Sequence, residues 1–206
     1  MEVIRMAKGP KYVVKFRRLR ERRTNYKLRF ALLKSGKPFF IVRRSLRYIY
    51  VSLSKPKIGG DETLLTVSSK ILLKYGFYGL KNLSAAYLTG YIAGRLALKK
   101  GVEEAIINLG YAWTKRASIP FAAAMGAREA GLNIPLGKEK YVDMSRLRGE
   151  HIANYAKYLK EQNIDLYNRK FSKYIELGIF PENLPELFDK VFNEIKKDYG
   201  GESNGE

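Results

Sequence analysis

Residues 8–29 carry ten basic side chains, Lys8, Lys11, Lys15, Arg17, Arg18, Arg20, Arg22, Arg23, Lys27 and Arg29, against one acid, Glu21. No core absorbs that imbalance, because an ionised side chain is buried only when it is paired. The stretch must lie on a surface or on a polyanion. The imbalance is regional: residues 1–60 hold 18 Lys and Arg against two acids, whereas residues 61–206 hold 21 against 18. Nearly all of the formal net charge of +19 therefore sits in the first third. Tyr12, Phe16, Tyr26, Phe30, Tyr48 and Tyr50 are interleaved with it. They supply stacking surfaces that a purely solvated charged tail lacks.

The chain has 206 residues, 46% of them hydrophobic, enough for one buried core with extensions. With no cysteine and a single histidine, disulfides, iron–sulfur sites, thiolate nucleophiles and Cys/His zinc sites are excluded by count. No apolar run approaches the roughly 18 residues of a membrane span, and Met1–Pro10 lacks the apolar centre of a secretory signal. A cytosolic location is expected. Between Lys15 and Arg23 only Phe16 and Leu19 could form an apolar face. That is too little to anchor a basic helix on a membrane, so nucleic acid is the expected partner and no membrane is.

The pattern of elements predicts an α/β fold. Residues 1–26 read as a basic arm, mostly extended, with a short helix near Arg17–Arg23. Residues 27–34, 38–44 and 47–54 read as an antiparallel meander, separated by Ser35-Gly36-Lys37 and by Ser45-Leu46. In the last of these, Ile49, Val51 and Leu53 share a core face and Tyr48 and Tyr50 share the other. After Lys57-Ile-Gly-Gly60, Asp61 is a plausible N-cap for a helix bearing Leu64, Val67, Ile71 and Tyr75, ended by Gly76. Further helices are expected over Leu83–Lys100, closed by Gly101, and over Pro120–Ala130, closed by Gly131. Between them Glu104–Gly110 reads as a buried strand. The predicted core is thus a three-layer arrangement around a mixed sheet, spanning residues 27–137.

Residues 138–199 read as a helical extension with three apolar stripes: Ile152, Tyr155, Ala156 and Leu159; Tyr167, Phe171, Tyr174 and Ile175; Leu187, Phe188, Val191, Phe192 and Ile195. Residues 200–206 read as a disordered tail.

Little in the chain suggests catalysis. His151, the sole imidazole, has no recognisable catalytic companion and reads as a surface or RNA-facing residue. Adjacent acids such as Glu103-Glu104 point apart on a strand, whereas a two-metal nuclease, the alternative reading, needs carboxylates converging from separate strands. No Gly-rich phosphate loop is present, and no cofactor is expected. Gly90 and Gly94, one helical turn apart, suit close helix packing.

Three segments carry a resemblance: Tyr12-Val-Val-Lys-Phe-Arg-Arg-Leu-Arg-Glu-Arg-Arg-Thr-Asn-Tyr26, Asn82-Leu-Ser-Ala-Ala-Tyr-Leu-Thr-Gly90 and Gly126-Ala-Arg-Glu-Ala-Gly-Leu-Asn-Ile-Pro135. In this order and spacing they resemble the archaeal and eukaryotic branch of the large-subunit ribosomal protein family that binds 5S rRNA. The likeness spans most of residues 8–198, including Arg148-Gly-Glu-His-Ile-Ala-Asn-Tyr155. It implies a non-enzymatic ribosomal protein in the cytoplasm that attaches 5S rRNA to the large-subunit rRNA at the central protuberance. The implied partners are both RNAs and neighbouring ribosomal proteins, including the other 5S-rRNA-binding protein.

The rRNA contacts it implies are centred on Lys11, Lys15, Arg17, Arg18, Arg20, Arg22, Arg23, Thr24, Asn25 and Tyr26. Arg29, Arg43, Arg44 and Arg47 of the adjoining basic segment complete the set, Thr24-Asn25 forming a polar turn. Two positions depart from the family pattern: Arg22 stands where Gly is usual, and Leu46 where Asn is usual in the second turn. The first bears on the arm's backbone conformation and the second on the tightness of that turn.

Overall fold

The computed structural model describes residues 9–11, 13–111 and 115–200. Lys8, Tyr12 and residues 201–206 of the expected tail lie outside them. Four strands, β1 (Phe39–Arg44), β2 (Ile49–Lys57), β3 (Gly60–Ser68) and β4 (Ile106–Asn108), form one sheet in the order β3-β2-β1-β4. β1, β2 and β3 pair antiparallel, and β4 joins β1 in parallel, which gives the mixed sheet expected.

Alternation assigns the faces. Phe40, Val42, Ile49, Val51 and Leu53 are buried on the core side, while Tyr50 stays exposed on the other.

The helices form the other two layers. α1 (Arg17–Arg20) and α2 (Tyr26–Leu33) precede the sheet, and α3 (Leu83–Lys99) packs on β2 and β3. Against α3 lies α4 (Ile119–Glu129), at a separation that only small residues allow. A Cβ on Gly90 would fall 2.0 Å from the Ala123 carbonyl oxygen, and one on Gly126 would fall 2.0 Å from that of Tyr87. Gly90 and Gly94 are packing glycines, as their spacing suggests.

Next come α5 (Met144–Arg148), α6 (Glu150–Gln162), α7 (Ile164–Glu176) and α8 (Leu184–Gly200). α8 packs on α3, so Leu184, Phe188, Val191 and Ile195 belong to the main core. α6 and α7 close a smaller cluster of Ala156, Leu159, Tyr167 and Phe171. Tyr155 and Ile175, placed on the apolar stripes by periodicity, remain exposed.

Three expectations are corrected. Residues 27–34 are not a strand: residues 27–33 lie within α2 and Lys34 is its C-cap. The Asn25 side chain accepts a hydrogen bond from the Leu28 amide at 3.1 Å, and Tyr26–Leu33 contains no β-branched residue to favour extension.

Asp61 does not cap a helix. Ile58 and Gly59 form a two-residue turn, with Gly59 at φ +89°, and pair Lys57 with Gly60. Thr63, Thr66 and Val67 then continue as β3. Only Ser69–Tyr75 is helical, as a 3-10 turn ended by Gly76 at φ +68°. Finally, the expected buried strand at Glu104–Gly110 is three residues long and half-buried, because β4 is an edge strand.

One buried hydroxyl ties the sheet to the start of the helical layer. Ser69 Oγ accepts from the Ile49 amide at 3.0 Å and donates to the Leu80 carbonyl at 2.7 Å. It thereby fixes the segment leading into α3 against the start of β2.

Candidate nucleic-acid interface

The basic arm is closed into a loop by its own backbone. After α1 the Arg22 amide donates to Leu19 O at 3.1 Å and the Arg23 amide to Arg18 O at 2.8 Å. This is the Schellman pairing, in which the residue after the helix cap adopts the left-handed conformation. That residue is Arg22, at φ +52°. Glycine takes this conformation without steric cost, whereas a side chain makes it unfavourable by about 1 kcal/mol or more. The departure at Arg22 thus places an arginine on a strained turn.

Side chains complete the loop. Arg18 Nε donates to Thr24 Oγ1 at 2.9 Å, and Glu21 sits 2.9 Å from Arg23 and 3.8 Å from Arg17. The lone acid of the segment therefore organises the loop from within. Among the described residues Arg20 and Arg22 meet no carboxylate. Together with Arg17 and Glu21 they line a hollow of about 700 Å³. Lys11 and Lys15 are exposed, and so are Val13, Val14 and Phe16, whose apolar surface lies among the cations. Thr24 and Asn25 lead into α2, with Asn25 extended as its cap, and Phe16 meets the Tyr26 ring edge-on at 5.7 Å.

Arg29 is held differently. It forms two parallel hydrogen bonds with Asp61 and lies 5.8 Å from the centre of the Phe39 ring. The Asp61 carboxylate holds the guanidinium pKa above its ordinary value, and Arg29 in return holds Asp61 below the usual carboxylate range, hydrogen bonding being the main cause for each. Arg29 therefore joins α2 to the sheet.

The structure separates the remaining arginines from the arm. Arg43 reaches toward the Leu109 carbonyl at 3.4 Å, and burial lowers its pKa. Arg44 and Arg47, at the β1–β2 turn, line an open cleft of about 840 Å³ together with Tyr48, Tyr78, Lys81 and Lys173. The turn itself is held by Ser45, whose hydroxyl accepts from the Tyr48 amide at 2.9 Å and whose amide donates to Tyr48 O at 2.9 Å. Leu46 projects 91% exposed from it, so its side chain plays no part in closing the turn.

Sequence reasoning misses Lys81, Lys173 and Tyr78. They lie far from Arg44 along the chain, and only the 3-10 turn and α7 bring them beside it.

His151 is exposed, with its pKa lowered by partial burial and by Arg146. Among the described residues no group of three or more His, Asp and Glu is placed to hold a metal ion, and no helix is long and apolar enough to cross a membrane.

The family described as "Ribosomal large subunit proteins 60S L5, and 50S L18" matches residues 10–108, which include the loop, α2 and the whole sheet. The large ribosomal subunit protein uL18 of Methanothermobacter thermautotrophicus is 43% identical over 194 residues, 94% of this chain and all of the relative. The chain belongs to the uL18 family.

The uL18 proteins of Thermofilum pendens and Aeropyrum pernix are 45% and 44% identical over 193 and 196 residues. They cover 93% and 94% of this chain, and the aligned parts are 98% and 92% of those relatives. The likeness therefore takes in the C-terminal helices as well as the sheet. The family is one of structural ribosomal proteins, which sets aside the nuclease alternative.

Proposed function

We propose that this uL18 protein grips 5S rRNA with the loop from Lys11 to Tyr26 and attaches it to the large-subunit rRNA at the central protuberance, beside other 5S-binding and large-subunit proteins. The observation that carries this reading is the closed loop, in which Arg20 and Arg22 meet no carboxylate among the described residues and lie beside the exposed apolar surface of Val13, Val14 and Phe16. Guanidinium groups bind phosphates through a planar fork, and exposed rings accept unstacked bases. A-form RNA hides its base edges in a deep groove, so such a loop reads shape and backbone. Arg29, engaged by Asp61, acts as the strut that sets the loop on the sheet.

The test is binding of purified protein to 5S rRNA across a salt series. With about five phosphate contacts, log K falls against log salt with a slope on the order of −4. Deleting residues 1–24 leaves the Asn25 cap of α2 in place, so the truncated chain is expected to melt cooperatively but to lose most RNA affinity. Binding as tight as the parent's, or a slope near zero, would sink this reading.

A further inference from the structure

Glu21 is the one carboxylate among the ten cations of residues 8–29, and the local backbone does not account for it. It is the C-cap of α1, where a negative charge gains nothing from the peptide dipoles. Nor does the closure of the loop use its side chain: the Arg22 and Arg23 amides bond to backbone carbonyls, and Arg18 bonds to Thr24. What the carboxylate adds is electrostatic.

It divides the arginines of the loop into two classes. Glu21 Oε2 lies 2.9 Å from Arg23 Nε and Oε1 lies 3.8 Å from Arg17 Nε, whereas Arg20 and Arg22 meet no carboxylate among the described residues. Both engaged arginines are met at Nε and remain largely exposed, which leaves their terminal nitrogens open to an anion. Glu21 also lines the hollow of about 700 Å³ with Arg17, Arg20 and Arg22. Whatever enters that hollow faces three cations and one anion. The Glu21 side chain is itself 39% exposed, so an incoming phosphate meets the negative charge directly.

The consequence depends on the path of the RNA backbone. Sequence-independent binding comes from cations neutralising phosphates, whatever their arrangement. A fully paired A-form duplex repeats its phosphates regularly, so it cannot reach Arg20 and Arg22, on either side of Glu21 in the chain, without setting a phosphate near the carboxylate. A folded RNA with a bend or bulge can leave a gap there. Like charges in close approach repel, so Glu21 weakens the first kind of complex more than the second.

We propose that Glu21 is a specificity-determining residue of the loop. It lowers the affinity for any RNA that places a phosphate against it and spares the RNA whose backbone passes it by. Discrimination then comes from a repulsive element and not from a further attractive contact. The inference rests on the reading of the loop as the 5S rRNA site and adds to it the means by which that site rejects other RNAs.

The experiment measures binding of the full chain and of the Glu21→Gln and Glu21→Asp variants to 5S rRNA and to a fully paired RNA duplex across a salt series. Glu21→Gln should bind the duplex about three- to tenfold more tightly than the parent, the scale of one or two exposed ion pairs. Its salt slope on the duplex should steepen by nearly one, as one more phosphate is neutralised. Its affinity for 5S rRNA should change by less than about twofold, so the preference for 5S rRNA falls by roughly the factor that the duplex gains. Glu21→Asp keeps the charge and should keep the parental preference. Both variants should melt as the parent does, because the bonds that close the loop lie elsewhere.

Equal gains on both RNAs in Glu21→Gln would overturn the proposal, since the carboxylate would then act through net charge alone. Weaker 5S binding with an unmoved duplex would overturn it as well, because Glu21 would merely aim Arg17 and Arg23. The chain lacking residues 1–24 separates this failure from that of the loop. If the truncated chain binds 5S rRNA as tightly as the parent, the loop is not the site and both readings fall. If truncation abolishes binding while Glu21→Gln keeps the parental preference, the loop stands and only the role of Glu21 is refuted.

Discussion

Arg29 and Asp61, 32 residues apart, are joined by paired hydrogen bonds of 2.7 and 2.5 Å. The two side chains are 27% and 24% exposed, so the pair is partly shielded from solvent. It fastens the helix after the basic loop to the edge strand β3. The pair is a bidentate one, the geometry in which an ion pair near a surface contributes measurably.

A double-mutant cycle with Arg29→Gln and Asp61→Asn is therefore expected to give a coupling of about 1 kcal/mol. The acid dependence has a definite sign. Because Asp61 titrates lower in the folded chain than in the unfolded one, its contribution is present above the ordinary carboxylate pKa and is lost as pH falls through the depressed value. Asp61→Asn should thus remove part of the fall in melting temperature below roughly pH 4. An acid profile identical to the parent's would show that the pair contributes nothing there.

Ser69 is a second joint, this time in the interior. Ser69→Ala would leave the buried Ile49 amide and Leu80 carbonyl without their partner, at about 1–3 kcal/mol for each group. A loss of about 2–6 kcal/mol in denaturant unfolding is expected. A change under about 0.5 kcal/mol, the ordinary scatter of a neutral substitution, would mean that other donors and acceptors replace the hydroxyl.

Legibility in the sequence depends on whether the determinant is local. The period of Leu88, Ile92 and Leu96, the alternation of Ile49, Val51 and Leu53, and the stops at Gly76, Gly101 and Gly131 are properties of short windows, and each appears in the structure as expected. Residues 27–34 read wrongly as a strand because the aromatic and basic residues of a strand also suit a half-exposed helix, and the deciding signal is the single cap Asn25. Residues 61–75 read wrongly as a helix because Leu64, Val67 and Ile71 satisfy a helical spacing by coincidence, whereas Ile58-Gly59 sets a hairpin register.

The loop is visible from charge alone. The cleft is not, because Arg44, Lys81 and Lys173 meet only through the fold.

The last helix bears on stability. Phe188 is 1% exposed, and Val191 and Ile195 are equally closed, all within the core that α3 shares with the sheet. The nearly balanced charge of residues 145–206 suggests a separable element whose removal weakens subunit incorporation more than binding to isolated 5S rRNA. With α8 supplying one wall of the core, truncation after Asp143 should instead abolish cooperative melting. Phe188→Ala, which leaves the surface untouched, should lower stability by about 3–5 kcal/mol without altering the salt slope of RNA binding. A truncated chain that melts cooperatively near the parent's temperature would restore the separable reading.

Arg22 concentrates the tension between the loop's backbone and its charge. At φ +52° its side chain sits in a conformation that disfavours any residue with a Cβ, yet the Schellman bonds to Leu19 and Arg18 require it there. Two variants separate the effects. Arg22→Gln removes the charge and keeps the strain, so RNA affinity should fall by the share of one phosphate contact and the salt slope should become shallower by nearly one. Arg22→Gly removes the same charge but relieves the strain by about 1 kcal/mol, so the closed loop becomes more populated before RNA arrives. Both variants should share the reduced slope. The glycine variant should bind more tightly than the glutamine variant by up to about fivefold, the equivalent of that ~1 kcal/mol. Equal affinities would mean that the loop closes only on RNA, and that its conformation in the free protein does not limit binding.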